Sequence, residues 1–195
     1  MTILEDGTGK GYQAKVTPDN ELKIAGEFRS IQHNASKINE DAYQVIGTAT
    51  LASGTVVGLH VKNNSSTKLL AVTYIRHQII GQAGGTALPN TSNYYSVRFG
   101  RTFSSGGTST IPVNVNNGSG NTSETTVYYN NPTLAGTASE IDRWYTKAEA
   151  DMNIFIKEGA VILKQGNTLE LSYIGDQTSG TLYTRLSFVM IDIPN

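Results

Sequence analysis

The sequence between residues 43 and 80 constrains the fold more than any other part of the chain. Three runs rich in Val, Ile, Thr and Tyr, near 43–51, 55–62 and 67–80, are separated by Ala-Ser-Gly and by Asn-Asn-Ser-Ser. β-Branched and aromatic runs that are broken by turn-forming residues are typical of consecutive antiparallel strands. This part of the chain therefore predicts an all-β domain.

The rest of the chain continues in the same style, with longer polar loops between the apolar runs. The run at 181–192 alternates apolar and polar residues at first and becomes apolar on both faces near its end. This pattern predicts a strand whose first part is half-buried and whose last part is buried on both faces. About eight to ten strands without a βαβ pattern predict an antiparallel jelly roll or β-sandwich. The further strands are predicted near 94–103, 125–130, 153–156, 160–164, 168–174 and 181–192.

Two local signals modify this all-β pattern. Pro112 interrupts a Ser/Gly/Asn-rich region, so Ile111-Pro112-Val113 is either an edge strand or no strand. Residues 139–153 predict a short helical connection, because Thr146-Lys147-Ala148-Glu149 matches a capping box and several apolar residues recur at helical spacing. Those apolar residues are Ile141, Trp144, Tyr145 and Ala148.

Residues 1–42 differ from the sandwich predicted for residues 43–195. They are rich in Gly and charge and carry only scattered apolar residues. Tyr12–Val16 and Glu21–Ile24 alternate in hydrophobicity, and Thr17-Pro18-Asp19-Asn20 between them fits a type I turn, so a small hairpin is expected. Two interpretations stay open: an extended arm that orders on a partner or a neighbouring copy, or an edge hairpin packed on its own domain.

Composition excludes several classes of partner. Charged residues make up 16% of the chain and the formal net charge is −1, with no dense run of Lys or Arg. Nucleic acid and anionic membranes are therefore not expected as partners. The chain has no cysteine, which rules out disulfides and thiolate metal sites. No signal peptide and no apolar run of about 20 residues is present, so we expect synthesis in the cytoplasm and no membrane span.

Catalytic motifs are weak throughout the sequence. Asp6-Gly7-Thr8-Gly9-Lys10-Gly11 resembles a phosphate loop only superficially, because Gly11 stands where the metal-binding hydroxyl is needed and no strand precedes the motif. Acidic candidates for glycoside hydrolysis are too scattered to pair. Those candidates are Glu140, Asp142, Glu170 and Asp192. We therefore expect a protein that is not an enzyme and that needs no cofactor.

The three histidines are His33, His60 and His77, and they fall in different predicted elements. His60 and His77 lie on consecutive strands, so they are candidates for cross-strand neighbours that hold a metal with one carboxylate. The His-x-His or His-x-Asp spacing that is common in metal-binding jelly rolls is absent. We therefore interpret both as ordinary sheet histidines and expect no metal.

Aromatic residues suggest a second class of function. Rings that lie exposed on one face can stack on a sugar, and Tyr94, Tyr128 and Trp144 are the candidates. Adjacent aromatic residues in a strand point to opposite faces, so each Tyr-Tyr or Trp-Tyr pair supplies at most one ring. The alternative hypothesis is therefore a carbohydrate-binding or receptor-binding module.

The N-terminal string resembles the opening of tailed-bacteriophage virion proteins. It reads Ile3-Leu4-Glu5-Asp6-Gly7-Thr8-Gly9-Lys10-Gly11-Tyr12-Gln13-Ala14-Lys15-Val16, followed by Asn20-Glu21-Leu22-Lys23-Ile24. Further similar pieces are Val61-Lys62-Asn63-Asn64, Val113-Asn114-Val115-Asn116-Asn117-Gly118-Ser119 and Glu158-Gly159 before an apolar strand. The segment Asn131-Pro132-Thr133-Leu134-Ala135-Gly136 departs from the family in its loop order.

The resemblance implies a jelly-roll subunit of a phage particle that is made in the host cytoplasm and located in the virion. Such subunits are often homotrimers and act as capsid decoration proteins or as fibre components. Partners would then be sister subunits and the major capsid protein or another virion protein. The arm residues predicted to contact these partners are Ile3, Leu4, Tyr12, Val16 and Leu22.

Overall fold

A computed structural model describes the chain in seven ranges: 3–5, 13–16, 22–23, 39–81, 93–146, 153–156 and 161–193. The chain forms two compact units, Met1–Ser30 and Ile31–Asn195. The predicted division into an arm of residues 1–42 and a sandwich of residues 43–195 stays a prediction.

The first unit contains a three-stranded antiparallel sheet in the order β1-β2-β3. Lys15 pairs with Lys23 and Val16 pairs with Leu22, so two of its strands meet where the sequence predicts a hairpin. The predicted turn at 17–20 lies outside the described residues. The strands are β1 (Ile3–Glu5), β2 (Gln13–Val16) and β3 (Leu22–Lys23).

The regular elements in the described part of the second unit are all strands. Most lie at or near the predicted positions, but the strands at 108–110, 133–135 and 139–145 were not predicted as strands. The strands are β4 (Ala42–Thr50), β5 (Gly54–Asn63), β6 (Lys68–Ile80), β7 (Tyr94–Phe99), β8 (Thr102–Ser105), β9 (Thr108–Thr110), β10 (Val113–Asn114), β11 (Thr125–Tyr129), β12 (Thr133–Ala135), β13 (Ser139–Tyr145), β14 (Asn153–Ile156), β15 (Ile162–Leu163), β16 (Thr168–Gly175) and β17 (Thr181–Asp192).

These strands form two main sheets with crossed connections. The first sheet has the order β10-β4-β17-β6-β14, with β15 also paired to β6, and the second has the order β13-β7-β16-β5-β11-β9. The chain crosses from one sheet to the other between β4 and β5, between β5 and β6, and between β6 and β7. It crosses again between β16 and β17. Antiparallel strands that alternate between two facing sheets make a jelly roll. The predicted all-β, antiparallel jelly-roll sandwich is confirmed.

The core lies between the two sheets and follows the alternation of side chains along each strand. Along β17, Leu182, Leu186 and Phe188 are buried, whereas Arg185 between them is half-buried. Near the end of β17, three consecutive apolar residues are buried, as its sequence predicts. A register shift between Ser187 and Phe188 accompanies this change.

The helical prediction for residues 139–153 is wrong over residues 139–145. These residues form β13, which pairs with β7 at the edge of the second sheet, with Trp144 opposite Tyr95. The ladder of hydrogen bonds that this strand forms with its neighbour stabilises the extended conformation more than the weak local helix propensity stabilises a helix. Residues 147–152 lie outside the described range. The described residues contain no helix, and hence none long enough to cross a membrane.

The region around Pro112 behaves as its sequence indicates. β10 begins directly after Pro112, contains two residues and lies at the outer edge of the first sheet beside β4. Proline has no backbone N–H to donate, so it is tolerated at a sheet edge and not in the middle. The prediction of an edge strand or none is therefore confirmed as an edge strand.

Candidate functional site

The predicted arm contacts lie mostly on the strands of the first unit. Ile3 and Leu4 are in β1, Val16 is in β2 and Leu22 is in β3, while Tyr12 lies outside the described residues. Their role in binding a partner stays a prediction.

His60 and His77 are not cross-strand neighbours, so the metal-binding arrangement considered for them is wrong. β5 carries His60 in the second sheet, and β6 carries His77 in the first sheet. The jelly-roll connection sends these consecutive strands to opposite sheets, which sequence order alone cannot reveal. His77 faces the core, where its ring stacks on Tyr95 at 4.9 Å. The chain neighbours of His60, Leu59 and Val61, belong to the core, so strand alternation turns His60 to the other face.

A row of polar and aromatic side chains crosses the outer face of the second sheet. The pairing register aligns one residue from each of its six strands. Their chain neighbours Val97, Leu169, Val61 and Val127 belong to the core, so strand alternation turns the row outward. In order across the sheet the row is Glu140, Arg98, Glu170, His60, Tyr128 and Ser109.

Residues 101–105, here called the strap, pass over this row. Arg101 donates two hydrogen bonds to Glu170, from Nε at 2.7 Å and from Nη2 at 2.5 Å. Two residues later, the Phe103 ring stacks on Tyr128 with ring centroids 3.6 Å apart and an interplanar angle of 4°. The strap is thus fixed to the outer face by one ion pair and one aromatic stack.

The centre of the row has balanced charge. Glu170 is only 2% exposed, and the guanidinium of Arg101 neutralises it. Ser172 Oγ donates a further hydrogen bond to the same carboxylate, and Arg98 Nη1 lies 3.9 Å away. A buried carboxylate needs such partners because an isolated buried charge is strongly unfavourable.

His60 is held neutral at the strap. Its Nε2 lies 3.0 Å from the carbonyl oxygen of Arg101, and because a carbonyl only accepts, Nε2 carries the proton. Burial lowers the pKa of His60 below its usual value, although the Arg101 carbonyl and Glu170 oppose this shift. His60 Nδ1 is therefore a lone-pair acceptor, and it has no hydrogen-bond partner among the described residues.

A groove of about 270 Å³ lies between the strap and the sheet, next to the aromatic stack. The stacked rings of Phe103 and Tyr128, the buried His60 and the exposed Lys62 line it. Three hydroxyl groups complete the lining, from Thr102, Thr126 and Thr168. The groove therefore combines an aromatic pair, a cation and several hydroxyls.

The other two aromatic candidates for sugar stacking have different surroundings. Trp144 is half-buried and packs against both large core clusters, so its interpretation as an exposed platform is wrong. Tyr94 meets Tyr145 edge-on at 6.0 Å, and the guanidinium carbon of Arg143 lies 4.1 Å above the Tyr94 ring. Tyr128 is the candidate that lines a groove.

A second feature is an exposed apolar patch at the edge of the first sheet. Ile46, Ile111, Val113 and Val115 are 42%, 77%, 70% and 53% exposed. Together with Gln44, Val45 and Thr110 they line a groove of about 370 Å³. Single exposed apolar residues are ordinary, but a group of four on one surface is typical of a contact with another molecule. The alternation of Ile111, Val113 and Val115 was the available sequence signal.

The apolar patch lies beside the point where the chain enters the jelly roll. Val115 N donates to the carbonyl oxygen of Ala42 at 2.9 Å, and Asn114 Nδ2 donates to the carbonyl oxygen of Glu40 at 2.7 Å. Asp41 is 3% exposed and accepts from Lys68 Nζ at 2.7 Å. The entry segment and the loop that carries the patch are thus bonded to each other.

Tyr43 connects the entry segment to the core through Asp41 and Phe188. Its hydroxyl donates to Asp41 Oδ1 at 3.1 Å, and its ring stacks on Phe188 at 5.6 Å. Burial, together with the neighbouring carboxylate of Asp41, raises the pKa of Tyr43 above its usual value. The hydroxyl therefore stays protonated and remains a hydrogen-bond donor.

The acidic residues considered for hydrolysis do not form a free pair. Glu140 and Glu170 are both close to Arg98, and each also has an arginine of its own, Arg143 for Glu140 and Arg101 for Glu170. Both carboxylates are therefore engaged by guanidinium groups, and they do not form the free pair across a groove that glycoside hydrolysis needs. Within the described ranges, no group of three or more His, Cys, Asp or Glu side chains is placed to hold a metal ion.

Comparison with known proteins gives little further information. No protein-family model matches the chain. No curated protein matches it either. A solved structure of infectious bursal disease virus, Gx strain, aligns with 80% of this chain at 13% identity and a TM-score of 0.15. The chain spans 39% of that viral chain. Similarity this low carries no argument about function.

Proposed function

We propose that this protein is a non-enzymatic structural component of a bacteriophage particle, a capsid decoration protein that stabilises the shell. The observation that carries the proposal is the exposed apolar patch on a jelly roll. Val113, in the edge strand β10, is 70% exposed, and Ile111, two residues before it, is 77% exposed. A neighbouring virion protein that covers these side chains removes them from water, which favours binding.

Two further features support the proposal. The first unit is a separate small sheet that carries Ile3, Leu4, Val16 and Leu22, which provides a second means of contact with sister subunits or the shell. The N-terminal string also resembles the opening of tailed-phage virion proteins. We propose that the protein is a homotrimer in the virion, as the resemblance implies.

The mechanism is the addition of many modest contacts. Burial of apolar surface contributes roughly 25 cal/mol per Å². A patch of a few side chains therefore gives weak binding for one copy. Repetition over the shell, with contacts through both the patch and the first unit, makes the attachment strong because the effective concentration of the second contact is high.

Co-sedimentation with particles of the parent phage that lack this protein tests the proposal. The full chain should sediment with the particles, and the double variant Ile111→Lys, Val113→Lys should bind at least about tenfold more weakly, because a lysine ammonium is costly to bury against apolar surface. Deletion of residues 1–25 should also weaken attachment. Light scattering should give the mass of a trimer.

Ile141→Lys is the matched control, because Ile141 is 42% exposed at the edge of the second sheet and lies outside the patch. This control should bind like the unaltered chain, and all variants should keep the same thermal unfolding transition. Failure of the full chain to sediment with the particles, or its absence from purified virions by mass spectrometry, would contradict the proposal.

A further inference from the structure

We propose that the groove under the strap binds one sugar residue that carries a carboxylate, such as a uronic or sialic acid. This inference concerns the outer face of the second sheet and does not depend on the proposed attachment to a capsid. It rests on three observations: the aromatic stack, the surrounding threonine residues, and the exposed Lys62 at the groove.

The aromatic stack supplies a rigid apolar wall. Phe103 and Tyr128 lie parallel, 3.6 Å apart, and both line the groove. Tyr128 is held in β11 between β5 and the edge strand β9, and Phe103 is fixed because Arg101 anchors the strap. A rigid ring pair loses little conformational entropy when the C–H face of a sugar packs against it.

The polar lining matches a molecule that carries several hydroxyls. Thr126 Oγ1 accepts a hydrogen bond from Asn64 Nδ2 at 2.7 Å, which leaves its own O–H to donate. Thr102 and Thr168 place two further hydroxyls at the groove. His60 is 1% exposed, and its Nδ1 acceptor has no donor among the described residues.

The rim is positively charged. Lys62 is exposed at the groove, and among the described residues it forms no ion pair. His60 is neutral and Glu170 is neutralised by Arg101, so Lys62 provides the net charge that a ligand meets. An exposed ammonium attracts a carboxylate, and this attraction weakens as salt rises. The groove therefore favours an acidic sugar over a neutral one.

The groove has room for a single sugar ring. About 270 Å³ lies just below the range of roughly 300–1,000 Å³ that is usual for small-molecule sites. The aromatic stack and Lys62 then contact the same sugar, with its ring against Phe103 or Tyr128 and its carboxylate at the rim.

Nuclear magnetic resonance titration of the full chain tests the inference, with glucuronic acid and N-acetylneuraminic acid as acidic probes and glucose as the neutral probe. An acidic probe should shift the amide signals of residues around the groove, with a Kd of about 1 mM, as expected for one ring. Glucose should bind at least about tenfold more weakly. Raising the salt concentration should reduce this difference.

Three variants identify the contacts. Lys62→Gln should remove the preference for acidic probes, and Tyr128→Ala should weaken all binding by about tenfold, which corresponds to about 1.4 kcal/mol. Tyr145→Ala is the matched control, because Tyr145 is a tyrosine of the same sheet that does not line the groove. It should leave the titration unchanged. Unaltered unfolding transitions in urea would show that each variant is folded.

The inference is overturned if neither acidic probe shifts groove signals at about ten times the expected Kd, or if the shifts map to another surface. It is equally overturned if Lys62→Gln leaves the preference for the acidic probe unchanged. Particle sedimentation is a separate measurement, so failure here leaves the proposed attachment to the capsid unaffected.

Discussion

Gly47 and Gly58 face each other between the two sheets of the jelly roll. A Cβ atom on Gly47 would lie 2.5 Å from the carbonyl oxygen of Gly58 and 2.8 Å from Leu59 Cδ2. Gly47 is in β4 and Gly58 is in β5, which are consecutive strands in opposite sheets. The two strands can approach this closely because neither carries a side chain at this point.

Gly47→Ala should therefore destabilise the fold. The nearest atom is backbone, which cannot move without shifting β5, so we expect a loss of about 1–3 kcal/mol in the free energy of unfolding. Gly120→Ala is the matched control, because a Cβ there meets nothing within 4 Å. The control should change stability by less than about 0.5 kcal/mol. Equal urea midpoints for the two variants would show that the close approach is not a constraint.

Acid should weaken the fold through His77. Burial lowers the pKa of His77 to about 3, and the ring stacks on Tyr95, lies near Trp144, and has Nδ1 3.2 Å from Thr184 Oγ1. Its folded pKa is below the value of about 6.5 in the unfolded chain. Between these two values the unfolded chain binds a proton that the folded chain does not, so stability falls as pH falls below about 6.5.

The free energy of unfolding should therefore drop by about 1.4 kcal/mol for each pH unit below about 6.5, from His77 alone. His77→Gln should show a shallower slope between about pH 6.5 and 5, a range above most carboxylate titrations. His60 contributes in the same direction because burial also lowers its pKa, so the double variant with His60→Gln should be shallowest. An unchanged slope in His77→Gln, measured by urea unfolding at each pH, would contradict this explanation.

Arg101→Ala should be strongly destabilising because it leaves the carboxylate of Glu170 buried without its main partner. Removal of one member of a buried ion pair typically costs about 3–5 kcal/mol. Arg98 and Ser172 remain near Glu170, so we expect a loss toward the lower end, about 3 kcal/mol. The strap should also loosen, which stopped-flow fluorescence or hydrogen exchange at Phe103 would detect.

Arg143→Ala is the control for this variant. The ion pair of Arg143 with Glu140 is more exposed, at 41% and 28%, so its loss should lower stability much less than the loss of Arg101 does. The double variant Arg101→Met, Glu170→Met should recover part of the stability, since it leaves no unpaired charge. A loss in Arg101→Ala as small as that in Arg143→Ala would show that Glu170 finds enough other partners.

The positions of the strands were predictable because each depends on residues close together in the chain. The predicted strands near 43–51, 55–62, 67–80, 168–174 and 181–192 differ from the observed ones by at most one residue at either end. β-Branched runs and turn residues act locally, so they are visible in the sequence. The helix predicted at 139–153 failed because β13 is held by β7, a strand about forty residues away in the chain.

The candidate sites were predictable only in part. Tyr128 was among the aromatic candidates, but Phe103 and Arg101 were not, because nothing local indicates that the strap crosses the outer face of the second sheet. His60 and His77 appeared adjacent from strand order, whereas the crossed connection separates them. The apolar alternation of Ile111, Val113 and Val115 was present in the sequence, but only the fold shows that Ile46 joins it.

The amino-acid sequence by itself determined that this chain is all-β, that its strands are antiparallel, and where most of them begin and end. These properties follow from side-chain alternation and turn chemistry, which act over a few residues. Only the tertiary structure decided which strands share a sheet, which histidine faces the core, and which side chains line the groove and the patch. Those outcomes depend on contacts between residues far apart in the chain. The hydrophobic effect that drives such contacts is non-directional, so an apolar run does not specify which other run it packs against.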